Sequence, residues 1–207
     1  MFEDRKEAGE KLTKALETYK NKKALVLAIP KGGVEVAYQV AEYLNADFSI
    51  LISRKLPFPD NPESGFGAIA EDGSVFINEE AVRWLSKNQI EKIKKEQIQE
   101  IKRRIEVLRG NKPLPKIFDK TVILIDDGLA MGSTMRAAIE LCKKKKAKKI
   151  VVAVPVSSKN VKEEISKLVD EIIVLETPEF FQAVAQVYKN WHDVSDEEVI
   201  EIMKGTR

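Results

Sequence analysis

The chain has 207 residues, of which 43% are hydrophobic and 33% charged, with a formal net charge of +2. That is enough for one substantial core, too little for two large domains, and too regular in its apolar runs for a disordered chain. A balance so near neutral gives little steering toward nucleic acid, the single cysteine Cys142 excludes an internal disulfide, and no apolar run is long enough to span a bilayer. The opening MFEDRKEAGEKL carries acidic residues and no signal-peptide core, so a reducing cytoplasm is the expected location, with neither nucleic acid nor membrane as partner.

Spacings of three and four among Ala8, Leu12, Ala15, Leu16 and Tyr19 predict a helix over 3–20. The unbroken apolar run 24–29 reads as a strand buried on both faces, broken by Pro30, Gly32 and Gly33. A helix is expected over 34–44 and a strand over 47–53. Residues 54–74, with three prolines and three glycines, read as a long loop holding at most a short strand at 68–70. Residues 79–109 are strongly helical, and Ile90, Ile93, Ile98, Ile101, Ile105 and Leu108 trace one apolar stripe. Something must cover that stripe: the sheet, or another subunit in a homodimer. Beyond Pro113 and Pro115, strands at 121–125, 149–156 and 171–175 alternate with helices at 132–145, 160–168, 180–188 and 196–203. This alternation predicts a single α/β domain over 1–207, with a mainly parallel central sheet flanked by helices and ligands beyond the C-terminal strand ends.

The sharpest motif is VILIDDGLAMGSTMRAA, 122–138. A hydrophobic strand runs into two adjacent carboxylates, Asp126 and Asp127, then into a loop that opens a helix. The carboxylates suit sugar hydroxyls or a metal ion. The loop 130–134 offers backbone N–H groups and the Ser133 and Thr134 hydroxyls at a helix N-terminus, which is a ready anion site. An acidic turn with an ordinary helix cap is the bland alternative. The loop lacks the Gly-Lys-Ser/Thr ending of a Walker A sequence. A second motif, AIPKGG at 28–33, follows the first strand. Its glycines let the backbone approach an anion and Lys31 adds charge, although Gly-Gly also serves as a plain turn.

VILIDDGLAMGST resembles the phosphoribosyl-diphosphate signature of the type I phosphoribosyltransferases. The resemblance implies ribose binding by Asp126 and Asp127, 5'-phosphate binding by Ala130, Met131, Gly132, Ser133 and Thr134, and pyrophosphate binding by Lys31, Gly32 and Gly33. It departs from the family pattern at Gly128, where a branched apolar residue is common, and at Ala130 and Met131, where threonines often occur. RKLPFPDNPESGFGAIAEDG, the opening FEDRKEAGEKL and the long 79–109 segment are similar to a poorly characterised subgroup of the family, so the resemblance covers nearly the whole chain.

The family fold implies a small hood, here 177–207, a helical insertion at 79–109, and a flexible active-site loop at 54–74 carrying Arg54 and Lys55. The implied reaction moves a 5-phosphoribosyl group between pyrophosphate and a nitrogenous base, a step of nucleotide metabolism. The implied partners are phosphoribosyl diphosphate, a base or nucleotide, and Mg2+. Asp126 and Asp127 are the candidate catalytic pair and the candidate metal contacts. A non-catalytic sensor of a phosphoribosyl compound or nucleotide is the alternative. Phe66 and Glu71 stand between loop, site and structural roles. Pro155–Ser158 and the aromatics Phe180, Phe181, Tyr188 and Trp191 are acceptor-side candidates, with core packing of a helix over 180–188 the stronger reading for Phe180, Phe181 and Tyr188. His192 has no cluster to join, Cys142 is expected to be inertly buried, and the lysines of 143–149 read as a solvated helix end.

Overall fold

The computed structural model describes residues 1–205. In chain order it holds α1 (Arg5–Ala15), β1 (Leu25–Ala28), α2 (Gly33–Leu44), β2 (Asp47–Ile50), β3 (Ser53–Phe58), β4 (Asn61–Ala70), β5 (Val75–Ile77), α3 (Lys87–Arg109), β6 (Thr121–Ile125), α4 (Ser133–Lys144), β7 (Lys149–Val156), α5 (Lys159–Ser166), β8 (Glu171–Glu176) and α6 (Asp196–Lys204). Five parallel strands form the main sheet in the order β2-β1-β6-β7-β8. Pleating splits its apolar residues between two layers. Val26, Ala28, Ile123, Ile125, Val151 and Ala153 pack with α1, α2, α3 and α6. Leu25, Leu27, Val122, Leu124, Val152 and Val154 pack with α4 and α5. Continuous apolar strands are what a sheet covered on both faces requires.

From β1 the chain crosses to β2 on one side, and from β6 it crosses to β7 on the other. The order therefore reverses between β1 and β6, and the crevice beyond their C-terminal ends is where an open α/β sheet binds its ligand. Both sequence motifs lie there.

Three expectations are corrected. Residues 54–74 are not a loose loop. β3 and β4 pair antiparallel from Ser53 opposite Ala70 to Phe58 opposite Asn61, and β5 adds a third strand. The register slips between Leu56 and Phe58, which accommodates Pro57 where a regular ladder would not. The strand expected over 47–53 stops at Ile50, and the chain leaves for this second sheet at Ser53. The helix expected over 180–188 is only a four-residue 3-10 turn, Val184–Val187, and Phe180 is exposed rather than part of a buried face.

The charged segment 79–109 is a short 3-10 turn, Ala81–Trp84, followed by α3, which starts at a capping box between Ser86 and Gln89. Its stripe is covered within the chain: Ile93, Ile101 and Leu108 are buried, and Ile90, Ile98 and Ile105 pack against the same core. Elsewhere, the segments near the two ends of the chain meet. Phe2 N–H donates to the Val187 carbonyl at 2.7 Å and Lys189 N–H to the Phe2 carbonyl at 3.0 Å. No helix among the described residues is long and apolar enough to cross a membrane.

Candidate active site

β1 ends in Ala28 and the chain turns through Ile29–Gly33 into α2, with a cis peptide between Pro30 and Lys31. β6 ends in Ile125 and delivers Asp126 and Asp127. The two turns touch. A Cβ on Gly32 would lie 1.9 Å from Asp127 Oδ2, and one on Gly33 would lie 2.8 Å from the Asp126 Cα. Glycine is needed at both positions because the backbone of one motif lies on the carboxylates of the other.

The carboxylates are poorly solvated. Burial, then the neighbouring Asp127 charge, pushes the Asp126 carboxyl well above the usual aspartate range. Burial raises Asp127 as well, opposed by Arg5. Arg5, from the first turn of α1, is 3% exposed; its Nε donates to Asp127 Oδ2 at 2.9 Å and its Nη1 to the His192 carbonyl at 2.9 Å. The Trp191 ring lies 4.0 Å from its guanidinium carbon, and the Tyr188 hydroxyl donates to the Asp127 carbonyl at 2.7 Å. Glu35 completes this cluster, with Oε1 at 3.6 Å from Arg5 Nη1, no hydrogen-bond partner for that atom among the described residues, and a carboxyl raised by burial.

Beyond Asp127 the chain passes through Gly128 to the 130–134 loop. A Cβ on Gly128 would fall 2.7 Å from both Val156 and Val184. The space that a branched residue would take is filled by Val184. Gly132 has φ +70° and caps α4 with no side-chain hydrogen bond, so the first-turn N–H groups keep their capacity for an anion. A cavity of about 270 Å³ opens there, lined by Gly128–Thr134, Lys55, Glu63, Gly65 and Val184.

The structure brings Lys31, Gly32, Gly33, Asp126 and Asp127 together, with Ala130, Met131, Gly132, Ser133 and Thr134 continuing from them. Lys55 joins the cavity wall, but Arg54 does not: adjacent strand residues face opposite ways, and Arg54 Nε donates to Gln97 of α3 at 3.1 Å. Lys31 Nζ stands 3.8 Å from Asp196 Oδ1. Glu71 is structural, held by the buried Arg109. Phe66 is buried in the core beside Phe58. Ser157 is buried and bridges Leu129, which brings the end of β7 beside the loop. His192 pairs with Glu198 at 3.0 Å through its ring and meets Arg5 only through its carbonyl. Burial pushes Cys142 up to about 12, as suits an inert thiol. Lys149 begins β7, at the sheet end opposite the site, and pairs with Glu171. Arg5, Glu35 and Asp196 carried no signal in the sequence.

A family model described as a phosphoribosyl transferase domain matches residues 3–189. Two Mycobacterium tuberculosis proteins, from strains CDC 1551 and H37Rv, are named provisionally as phosphoribosyl transferases. Each is 36% identical over 202 residues, covering 97% of this chain and 46% of the relative. The chain thus spans about half the length of the curated relatives it matches. The crystal structure of TT1426 from Thermus thermophilus is 33% identical with a TM-score of 0.82, covering 98% of this chain and 97% of that one. AQ2163 from Aquifex aeolicus, 18% identical at TM-score 0.52 over 84% of this chain and 73% of its own, shares the fold.

Proposed function

The chain belongs to the phosphoribosyl transferase domain family, and from that premise we propose that it moves a 5-phosphoribosyl group between pyrophosphate and a nitrogenous base. The observation that carries this reading is the contact of the Lys31–Gly33 turn with Asp126 and Asp127 at the switch point of the sheet. A diphosphate and a pentose joined to one another need two such subsites side by side. In this reading the Lys31–Gly33 turn holds the diphosphate, and Asp126 and Asp127 accept hydrogen bonds from the ribose hydroxyls. The 130–134 loop and the start of α4 hold the 5'-phosphate. A cavity of about 270 Å³ at that loop suits a sugar phosphate, and Lys55 on its wall adds charge.

No group of three or more metal-ligating side chains is assembled among the described residues. A magnesium ion delivered with a diphosphate would need only one or two protein carboxylates, and Asp126 and Asp127 would hold it. When bound, Mg2+ would supply charge neutralisation to the departing pyrophosphate. The chain's own residues orient the two reactants and keep water from the C1 centre, for which the β3–β4 hairpin beside the cavity is the natural cover. In this reading one carboxylate of the Asp126–Asp127 pair also accepts the proton of the attacking nitrogen.

Contact of both carboxylates with the donor gives a direct test. Replacing Asp126 and Asp127 together by Ala is expected to abolish saturable binding of phosphoribosyl diphosphate in titration calorimetry. Unchanged affinity in a folded double variant would remove the assignment.

A further inference from the structure

Asp196, the first residue of α6, sits between two cations from distant parts of the chain. Its Oδ1 is 3.8 Å from Lys31 Nζ, and its Oδ2 is 3.3 Å from Arg103 Nη1 of α3. Arg103 turns its other edge to Glu100, with Nε to Oε2 at 2.8 Å and Nη2 to Oε1 at 2.9 Å. Arg104 Nε shares Glu100 Oε1 at 3.0 Å. Arg54 lies close enough to feel these charges: burial, then Arg104, holds its guanidinium below the usual arginine value. Four cations (Lys31, Arg54, Arg103 and Arg104) thus crowd around two carboxylates, Glu100 and Asp196.

That excess of positive charge is unusual for a network whose purpose is stability, since like charges held together repel. It is what an anion site looks like when a protein carboxylate stands in for the ligand. A carboxylate bridging an ammonium and a guanidinium presents two oxygens where a phosphate would present them. The place is also right. Lys31 immediately precedes Gly32 and Gly33, whose backbone lies on Asp127 and Asp126, so a donor whose ribose is held there directs its leaving group toward Lys31. The stand-in is weakly held: 3.8 Å to Lys31 is beyond hydrogen-bond range, and the Lys31, Asp196 and Arg103 side chains are 32%, 24% and 47% exposed. Solvent, and therefore a ligand, reaches all three.

Resting on the phosphoribosyl-transfer reading, we propose that Arg103 of α3 binds the diphosphate of the donor together with Lys31, and that Asp196 is the internal anion which the diphosphate displaces. The helical insertion then has a part in the site: it brings a guanidinium fork to a diphosphate subsite that otherwise rests on one lysine and backbone donors. Asp196 keeps the two cations positioned when no ligand is present and lowers affinity by competing for them.

The test is calorimetric titration of the full chain with two probes, magnesium pyrophosphate and ribose 5-phosphate, in the parent and in the variants Arg103→Met and Asp196→Asn. Loss of a charge-assisted contact weakens pyrophosphate roughly tenfold or more in Arg103→Met. Arg103→Lys, which keeps the charge but not the fork, recovers part of the loss. Asp196→Asn removes the competitor and tightens pyrophosphate several-fold. Ribose 5-phosphate affinity stays at the parent value throughout. A structural role alone would not give opposite signs for the two variants or spare one probe. Pyrophosphate binding unchanged in Arg103→Met, or weakened in Asp196→Asn, overturns the proposal while leaving the family reading intact. A parent protein that binds neither probe overturns both.

Discussion

Gly32 is the position where one methyl group disturbs most. A Cβ there would meet Asp127 Oδ2 at 1.9 Å and Arg5 Nε at 2.8 Å, and neither atom can retreat without leaving the other. Gly32→Ala is expected to destabilise the protein by about 1–3 kcal/mol and to weaken donor binding, as read by urea denaturation and calorimetry. Parent-like stability and affinity would mean the turn is not packed on the carboxylates. The residues of this contact differ in how legible they were. Lys31, Gly32, Gly33, Asp126 and Asp127 stand in short motifs whose chemistry is local. Arg5 is one charged residue in the stretch MFEDRKEAGEKL, and its role arises only through a contact across 122 positions. Tyr188 and Trp191 read as packing or base-stacking aromatics. Tyr188 does pack, beside Phe2 and Val187, and its hydroxyl also braces Asp127, while Trp191 covers Arg5; no local pattern announces either contact. Gly128 looked like a departure from the family pattern, and its reason, the side chain of Val184, is again non-local.

Among the elements, the β3–β4 hairpin was hidden by its own composition. Pro57, Pro62, Gly65 and Gly67 are breakers in a regular strand; a register slip lets Pro57 pair with Gly65, and Pro62 lies in the slipped stretch between Asn61 and Gly65. Its base is fixed by a clamp equally invisible in sequence. Arg109, at the end of α3, donates through Nη1 to the Ile50 carbonyl and to Glu71 Oε1, each at 2.9 Å, while Glu71 Oε1 accepts from Ile52 N–H at 3.1 Å. The two side chains are 5% and 8% exposed. Arg109→Met leaves the Glu71 carboxylate buried without its partner and is expected to cost about 3–5 kcal/mol in denaturant unfolding; a change near zero would show that the clamp holds nothing. The helix expected over 180–188 failed for the opposite reason. Apolar residues at helical spacing were present there, but Val187 and Tyr188 are buried by pairing of this segment with Phe2 rather than by a helix face.

For the molecule as a whole, alternation of apolar strands and amphipathic helices was enough to foresee a parallel sheet covered on both faces. It could not give the strand order, because the pairing of β1 with β6 joins segments almost a hundred positions apart and has no signature in either. That pairing builds the candidate site, since it sets the Lys31–Gly33 turn against Asp126 and Asp127. It also explains why two motifs, each ambiguous alone, lie together: the strand order reverses between β1 and β6, and both turns leave the sheet there. Helices α3 and α6 then meet at the same end, bringing Arg103 and Asp196 to Lys31. The measurement that tests this most directly is calorimetric titration of the intact chain with phosphoribosyl diphosphate, with magnesium and without it. Saturable, magnesium-dependent binding of about one ligand per chain is expected from the diphosphate, ribose and phosphate subsites proposed above. A folded protein that binds no donor at millimolar concentrations with magnesium present would contradict the assignment of this crevice.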